Sequence, residues 1–407
     1  IRSQRVTDTQ RPTNARGLDH DIDAILKAQH VNGAFPAGAE FSQYQYCWLR
    51  DGAFIANALD VAAERAAAAG NHTAAAERHQ AAARFHGWVA RTLEALEPTV
   101  NDLIERRAKA QPLGEFDFLP TRFTLDGQWD HDGWPNFQLD GYGQWLWSLA
   151  AHVRSAARLD TAGHVSADAQ PAVVAGQHPA VAKAQVPAEL RQAATLTARY
   201  LATFWDQPCY DSWEEHRSQL HTATLASIHA GLRDIGPYLP EVADMARAAA
   251  AGALRYIRDD CVRDGHLIKY VRNDAVDASL LWLALPFEVY AVDDPVMLAT
   301  AERIEHELLG GGVRRYLADT YYGGGEWIIL TAWLAWYRSR AGRRDDAHAL
   351  MRWIEEQRDE HGALPEQVPG ADHHPRFLAY WTREWGPSAK PLLWSHAMTA
   401  VVKAELT

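Results

Sequence analysis

Two acidic segments of the chain have residue types that suit proton transfer. The first is the run Asp211-Ser212-Trp213-Glu214-Glu215, in which two adjacent carboxylates repel each other and Trp213 can desolvate one of them. Both effects raise a carboxyl pKa and favour a protonated acid, whereas a helix N-terminus acts in the opposite direction. Because Asp211 and Ser212 are typical N-cap residues, we expect both glutamates in the first turn of a helix. Taken alone, ordinary helix capping is the simpler explanation of this run.

The second segment is the Pro- and Gly-rich loop 362–370, which contains Glu366. Isolated loop carboxylates are usually only solvated. Hydrolysis of a glycosidic bond, however, needs one acid to protonate the leaving oxygen and one base to activate water on the opposite side of the sugar ring. Glu214 and Glu366 are therefore candidates for such a pair if the fold brings their loops together.

A third segment, residues 44–51, combines aromatic rings with a charged pair. Arg50 offers a fork of donors and Asp51 offers two acceptor oxygens, which suits neighbouring hydroxyl groups. Tyr44 and Trp48 are candidate walls for a sugar ring, since flat rings stack on the apolar faces of pyranoses. A structural Arg–Asp pair at the start of a helix fits the sequence equally well.

The composition restricts the class of partner. The 407 residues include 40 Lys and Arg against 52 Asp and Glu, and the resulting formal net charge of −12 disfavours nucleic acid and anionic membrane surfaces. No apolar run reaches the roughly 18 residues that span a bilayer. We expect a neutral oligosaccharide as substrate and no nucleic-acid or membrane partner, and the oligomeric state stays open.

Cysteine and histidine spacing indicates neither disulfides nor a metal. Cys47, Cys209 and Cys261 form no Cys-x-x-Cys motif, and no His-Glu-x-x-His is present. The acidic and histidine groups at 130–132 and 372–374 are typical of solvated loops. We expect no metal and no cofactor. Buried free thiols favour a cytoplasmic location, and a secreted one applies if a signal segment was removed.

Apolar residues recur at three- and four-residue spacing through most of the chain, which predicts an all-α protein. Loops with unusual chemistry precede every second helix, and alternate loops of antiparallel helices lie at one end of a bundle. This indicates a ring of six inner and six outer helices with one functional rim. The twelve helices are predicted near 18–30, 51–69, 73–97, 138–158, 187–205, 216–232, 240–262, 276–285, 293–309, 326–341, 344–359 and 391–406.

Residues 160–187 are rich in Pro, Gly and Ala and have no helical stripe. This composition predicts a surface insertion. Since the helices on both sides have the same amphipathic style, we expect one catalytic domain over residues 1–407 rather than a domain boundary here.

Six strings of residues occur in an order and at spacings that resemble glycoside hydrolase family 15, the glucoamylase family. The strings extend from about Phe41 to Ala397, and six in register are a specific signal. The resemblance implies an (α/α)6 barrel and an exo-acting, anomer-inverting α-glucosidase. The strings are YQYCWLRD, WPNFQLDGYG, DSWEE, RRYLADTYYGGGEW, LPEQ and PLLWSHA.

Carried over residue by residue, the resemblance implies that Glu214 is the general acid and Glu366 the base that activates water. It further implies that Arg50 and Asp51 hold the far hydroxyls of the terminal glucose, and that Tyr44 and Trp48 line the first pocket. Arg315 is implied to bind a hydroxyl near the cleavage point and Trp327 to support the next sugar. Further binding candidates are Glu215, Trp134, Trp213, Trp394, Gln138, Asp140 and Asp277, whereas His396 is expected to be structural.

The linkage is open at this stage. We expect short soluble α-glucosides, with isomaltose-like α-1,6 oligosaccharides preferred, and a maltooligosaccharide glucoamylase or a trehalase as alternatives. A sugar phosphorylase would need a phosphate site, yet no basic loop cluster is evident. A catalytically silent sugar-binding barrel is a further alternative, against which the pair of carboxylates argues.

Overall fold

A computed structural model describes residues 17–135, 137–162, 184–370 and 373–407. The predicted insertion at 160–187 therefore lies largely outside the described residues, as does part of the group at 372–374. Within the described ranges the helices are α1 Leu18–Ala28, α2 Leu49–Ala68, α3 His72–Glu94, α4 Glu97–Ala108, α5 Asp140–Ala162, α6 Ala188–Phe204, α7 Thr222–Ile235, α8 Ala243–Asp260, α9 Pro295–Leu308, α10 Ile328–Arg340, α11 Arg344–Glu356, α12 Pro375–Trp385 and α13 Leu393–Leu406.

Six elements form a closed inner ring, in which each packs on the next. They are α2, α5, α7, the 3-10 helix Ala278–Leu283, α10 and α13, which returns to α2. Their surfaces are buried nearly all round, as shown by the unbroken buried runs from Thr222 to Leu232 in α7 and from Ile328 to Ala335 in α10. A helix that is apolar on all sides needs neighbours on all sides, so these elements belong at the centre.

The outer ring consists of α1, α3, α6, α8, α9 and α11, which pack behind the inner elements. Each of these helices buries one face only. In α11 the buried residues are Ala347, Leu350, Met351 and Ile354, at the spacing of a single apolar stripe. The two rings together are the (α/α)6 barrel that the sequence predicted.

Two glycines allow the inner helices α5 and α7 to approach each other closely. A Cβ atom on Gly231 would lie 2.3 Å from the carbonyl oxygen of Gly143, and one on Gly143 would lie 2.5 Å from the carbonyl oxygen of Ser227. Any larger side chain at either position would force the helices apart. The loops that precede α5 and α7 are thereby held side by side at the rim, which is the end of the ring where the inner helices begin.

Three helix predictions differ from the structure, two of them next to a proline. The predicted helix 276–285 is a 3-10 helix over Ala278–Leu283, and Pro286, which lacks an N–H, prevents a helix from continuing past this point. The predicted helix 73–97 is followed by the unpredicted α4, since Pro98 occupies a first turn, where a missing N–H costs nothing. The helix predicted at 216–232 begins only at Thr222.

Short strands tie the rim loops together. Strand β1 (Tyr46–Trp48) pairs antiparallel with β2 (Arg122–Thr124), and β3 (Val262–Arg263) pairs with β4 (His266–Leu267). A three-stranded sheet follows the order β5 (Val313–Arg314), β6 (Glu326–Trp327) and β7 (Gln367–Val368). None of the helices in the described ranges combines the length and the apolar character that crossing a bilayer requires.

Candidate active site

The rim surrounds a cavity of about 420 Å³. Twelve of the fifteen side chains that the sequence analysis proposed as catalytic or substrate-binding line it. They come from loops, strands and the first turns of helices that are remote in the chain, so the fold is what brings them together. They are Tyr44, Trp48, Arg50, Asp51, Trp134, Trp213, Glu214, Glu215, Arg315, Trp327, Glu366 and Trp394.

Glu214 lies in a tight turn and not in a helix, which corrects the expectation of a helical first turn. The side chain of Asp211 accepts hydrogen bonds from the backbone N–H groups of Trp213 (3.0 Å) and Glu215 (2.8 Å), as an Asx turn does. Glu214 has a φ of +67°, in the left-handed region that non-glycine residues rarely adopt. The turn projects Glu214 into the cavity, where its side chain is 17% exposed.

Two indole rings fix the carboxylate of Glu214. The Nε1–H of Trp48 donates to Oε1 and the Nε1–H of Trp134 donates to Oε2, each at 2.7 Å. Arg50 Nη2 lies 3.9 Å from Oε1. With a donor at each oxygen, the carboxylate has one defined orientation in the cavity.

A buried ion-pair group supports the same turn from behind. Lys269 Nζ lies 2.8 Å from Asp211 Oδ2 and 3.0 Å from Asp277 Oδ2. Asp277 also accepts the indole N–H of Trp213 at 3.0 Å. Although burial opposes ionisation, the two carboxylates raise the pKa of Lys269 above its usual value, and Lys269 holds the pKa of Asp211 below its own. These contacts of Lys269 with Asp211 and Asp277 anchor the residues on both sides of Glu214.

Glu366 is held by the backbone of the rim. Its N–H donates to the carbonyl of Ala389 at 2.8 Å, and its carbonyl accepts from Ile328, the first residue of α10, at 3.2 Å. The following residue, Gln367, pairs with Trp327 in the three-stranded sheet. This places the Glu366 side chain at the cavity wall with only 3% of the residue exposed.

The ionisation of Glu366 is set by its burial and by one hydroxyl group. Burial raises the pKa of this carboxyl to about 7, while a 2.7 Å hydrogen bond from the hydroxyl of Tyr44 and the charge of Arg315 act against the rise. The ring of Tyr44 meets the ring of Trp48 edge to face, with centroids 5.6 Å apart. Adjacent rings therefore bind the two candidate catalytic carboxylates, one each.

A group of charges around Arg50 lines one part of the cavity wall. Arg50 Nε is 3.3 Å from Asp51 Oδ1, and Arg50 Nη1 donates to Gln138 at 3.0 Å. Burial raises the pKa values of Asp51 and Asp140 to about 6, against the opposing charge of Arg50. The group presents fixed donors and acceptors to hydroxyls, as the sequence suggested for Arg50 and Asp51.

Arg315 links a second group at the cavity wall. Its Nε donates to Asp319 at 2.7 Å, and its Nη2 lies 3.4 Å from Glu215 Oε1. The hydroxyl of Tyr316 donates to the other oxygen of Glu215. Two donors thus hold the carboxylate of Glu215 beside Glu214, and Glu215 also lines the cavity.

The cavity mouth contains three aromatic residues that sequence reasoning missed. Tyr321 follows Arg315 in the chain, and Trp381 and Trp385 belong to α12, a helix that was not predicted. The sequence did contain a signal for this helix, because Pro375 begins it and its two tryptophans are four residues apart, on one face. Trp385 stacks with Trp134 at a centroid distance of 6.2 Å and an interplanar angle of 25°.

The remaining candidates lie behind the cavity rather than on it. Gln138 and Asp140 surround Arg50, and Asp277 binds Trp213 and Lys269. His396 accepts from the backbone N–H of Leu364 and binds Asp21 at 2.8 Å, which is a structural role.

A double ring of helices with an aromatic-lined cavity and two separately held carboxylates at its rim is the arrangement of a glycoside hydrolase. The family model described as glycosyl hydrolases family 15 matches residues 21–356. The chain belongs to this family, and carbohydrate is its substrate class.

Individual relatives agree with this assignment. The chain is 36% identical over 393 residues to the isomaltose glucohydrolase of Kribbella flavida, covering 95% of this chain and 91% of that protein. A glycosidase variant solved in complex with glucose superposes with a TM-score of 0.81 at 35% identity, covering 96% of this chain and 95% of that chain. The glucoamylase of Saccharomycopsis fibuligera, at 15% identity and a TM-score of 0.66, has the same fold.

Proposed function

We propose that the protein is an exo-acting, anomer-inverting α-glucosidase that releases β-glucose from the non-reducing ends of short α-1,6-linked glucosides. The observation that carries the proposal is the placement of Glu214 and Glu366 in one cavity, each fixed by a different ring of the Tyr44–Trp48 pair. The similarity to an isomaltose glucohydrolase over nearly the whole chain supports the α-1,6 preference.

In the proposed reaction, the oxygen of a water molecule forms a bond to the anomeric carbon while Glu366 accepts a proton from that water. The bond between the anomeric carbon and the glycosidic oxygen breaks, and the oxygen takes the proton of Glu214. The ring passes through an oxocarbenium-like state, and attack from the opposite face converts an α-linkage into β-glucose. Solvent then returns the proton from Glu366 to Glu214.

Exo action is supported by the contrast in burial among the residues that line the cavity. Arg50, Asp51 and Trp394 are almost completely buried, whereas Trp381 and Trp385 are partly exposed. A terminal glucose that reaches the Arg50–Asp51 pair has no path beyond it, so only the end of a chain enters. The Arg50–Asp51 pair binds the hydroxyl groups of this glucose that are remote from the cleaved bond.

Preference for short substrates is supported by the mouth of the cavity. A volume of about 420 Å³ lies at the lower end of the range for small-ligand sites. Trp134 and Trp385 stack across the opening and narrow it. Trp213 and Trp327, whose centroids are 5.7 Å apart, offer surfaces for the sugar beyond the cleaved bond. Long maltodextrins gain few contacts from such a site.

Comparison of kcat/KM on isomaltose, maltose, trehalose and dextran under one condition tests the substrate assignment. We expect isomaltose to be hydrolysed at least about tenfold more efficiently than the others, which corresponds to about 1.4 kcal/mol of transition-state stabilisation. Preference for long maltodextrin or for trehalose would overturn the α-1,6 assignment. Product formation that requires phosphate would indicate a phosphorylase instead, and binding without turnover a silent sugar-binding barrel.

A further inference from the structure

Three ionisable residues from three helices meet inside the barrel wall, away from the cavity. Asp60 of α2, His86 of α3 and His152 of α5 each offer one ligand-type atom, and these atoms all lie within 4.8 Å of one another. The three residues are 2%, 0% and 5% exposed. Asp60 follows Asp51 by nine residues in α2, which places the group about 14 Å along the helix from the Arg50–Asp51 pair.

His86 is the unexplained member of the group. Its imidazole is completely buried, and neither Nδ1 nor Nε2 has a hydrogen-bond partner among the described residues. Its ring centroid lies 4.8 Å from that of His152. Buried polar atoms are almost always paired, because leaving water without a partner is costly. A histidine nitrogen with a free lone pair at such a place is suited to a metal ion.

Asp60 supplies a buried negative charge to the same group. Its carboxylate contacts His152 Nδ1 at 2.9 Å and His79 Nδ1 at 2.7 Å. Among the described residues its hydrogen-bonding and ion-pair partners are these two imidazoles, with no guanidinium or ammonium group beside it. A buried carboxylate of this kind needs a cation for compensation.

We propose that Asp60, His86 and His152 bind a divalent cation of the Zn²⁺ class. Two imidazole nitrogens and one carboxylate oxygen are a ligand set that Zn²⁺ favours over Mg²⁺ or Ca²⁺. Bonds of about 2.0–2.1 Å in a tetrahedron put the ligand atoms about 3.3 Å apart, so the three side chains, whose ligand atoms now lie within 4.8 Å of one another, must adjust on binding. His79, at the outer edge, donates to Asp60 and orients it.

The role of this site is structural. It joins the inner helices α2 and α5 to the outer helix α3, and it touches none of the residues that line the sugar cavity. We therefore expect it to stabilise the barrel without altering the hydrolytic step. Sequence analysis predicted no metal, because the ligands come from positions 60, 86 and 152, whose spacing matches no motif.

The test uses the full chain after dialysis against a chelator, titrated with Co²⁺ and separately with Zn²⁺. We expect one equivalent to bind, with the visible absorption bands of tetrahedral Co²⁺ and a rise in Tm of several degrees with Zn²⁺. His86→Leu is the diagnostic variant, since this imidazole has no partner to lose, and it should fold but lose both effects. His229→Gln, a buried histidine that binds the carbonyl of Ala250 on another wall, is the matched control and should retain them.

Two results would overturn the proposal. One is the absence of bound metal and of any change in Tm when the dialysed wild-type protein is titrated. The other is metal binding that persists in His86→Leu with unchanged stoichiometry, which would place the ion elsewhere. Neither result bears on sugar hydrolysis, which is measured on substrate in chelator-treated protein and is expected to continue at an unchanged rate.

Discussion

The hydroxyl of Tyr44 donates a 2.7 Å hydrogen bond to Oε1 of Glu366, a carboxyl whose pKa burial raises to about 7. This bond stabilises the ionised form, which is the form that can accept a proton from water. With Glu366 as the proposed base, we expect the free enzyme to be active only where this carboxyl is ionised, and kcat/KM to fall as the pH decreases through its pKa.

Replacing Tyr44 with Phe removes the donor and leaves the ring. Because a hydrogen bond to a charged group contributes about 1.5–3 kcal/mol, we expect the pKa of Glu366 to rise by roughly one to two units. The acid limb of the kcat/KM profile on isomaltose then moves upward by the same amount. Tyr46→Phe is the control, since that hydroxyl binds Asp130 and not Glu366. If the acid limb of the kcat/KM profile is unchanged in Tyr44→Phe, the group that titrates there is not Glu366.

The roles of the two carboxylates are separable with an activated substrate. Both oxygens of Glu214 accept indole N–H bonds in the free site, whereas a general acid must present an O–H. The family resemblance therefore assigns the acid to Glu214, while the geometry of the free site favours Glu366 as the acid. Glu214→Gln should lose roughly 10³-fold or more on isomaltose but retain much of its rate on α-glucosyl fluoride, which needs no protonation. Glu366→Gln should lose both activities. The reverse pattern would exchange the two roles.

Lys269 positions the turn that carries Glu214. Lys269→Met leaves Asp211 and Asp277 buried without their cation, a change that costs about 3–5 kcal/mol in comparable buried pairs. We expect kcat to fall roughly 10- to 100-fold with a smaller change in KM, and Lys269→Arg to restore part of it. Lys403→Met disturbs a separate ion-pair group at Asp21 and should lower Tm without this loss of kcat. Equal effects on kcat from both variants would indicate general destabilisation.

Trp385 narrows the opening of the cavity. Trp385→Ala removes its stacking on Trp134 and widens the mouth, so KM for isomaltose should increase about three- to tenfold. Activity on longer α-1,6 oligosaccharides relative to isomaltose should increase as well. Tyr380→Ala is the matched control, because Tyr380 lies on the same helix with 43% of its surface exposed. If the ratio of activity on long substrates to activity on isomaltose is the same in both variants, Trp385 does not determine the preferred substrate length.

The barrel was predictable because apolar residues recur at helical spacing through most of the chain and because loops with unusual chemistry precede every second helix. The structure adds that the runs in α7 and α10 are buried on all sides and that α11 is buried on one side. The fourth inner element, the 3-10 helix Ala278–Leu283, was predicted as an α-helix because its residues are mostly apolar and the proline that stops it, Pro286, lies beyond its end. Helix bounds depend on such local stops.

The geometry at Glu214 was not predictable, because Asp211 accepts from nearby backbone N–H groups in an N-cap and in an Asx turn alike. The sequence around it is the same in both cases, and only the distant Lys269 and Asp277 select the turn. Likewise, Trp381 reaches the cavity because α12 folds over the mouth, a contact that no local pattern encodes.

The most direct test of the central claim, that Glu214 and Glu366 carry out a single displacement by water, is a proton NMR time course of isomaltose hydrolysis by the wild-type enzyme. The account predicts that the glucose released from the non-reducing end appears first as the β-anomer, before mutarotation. Initial release of α-glucose would contradict it, since that outcome requires a covalent intermediate and two displacements.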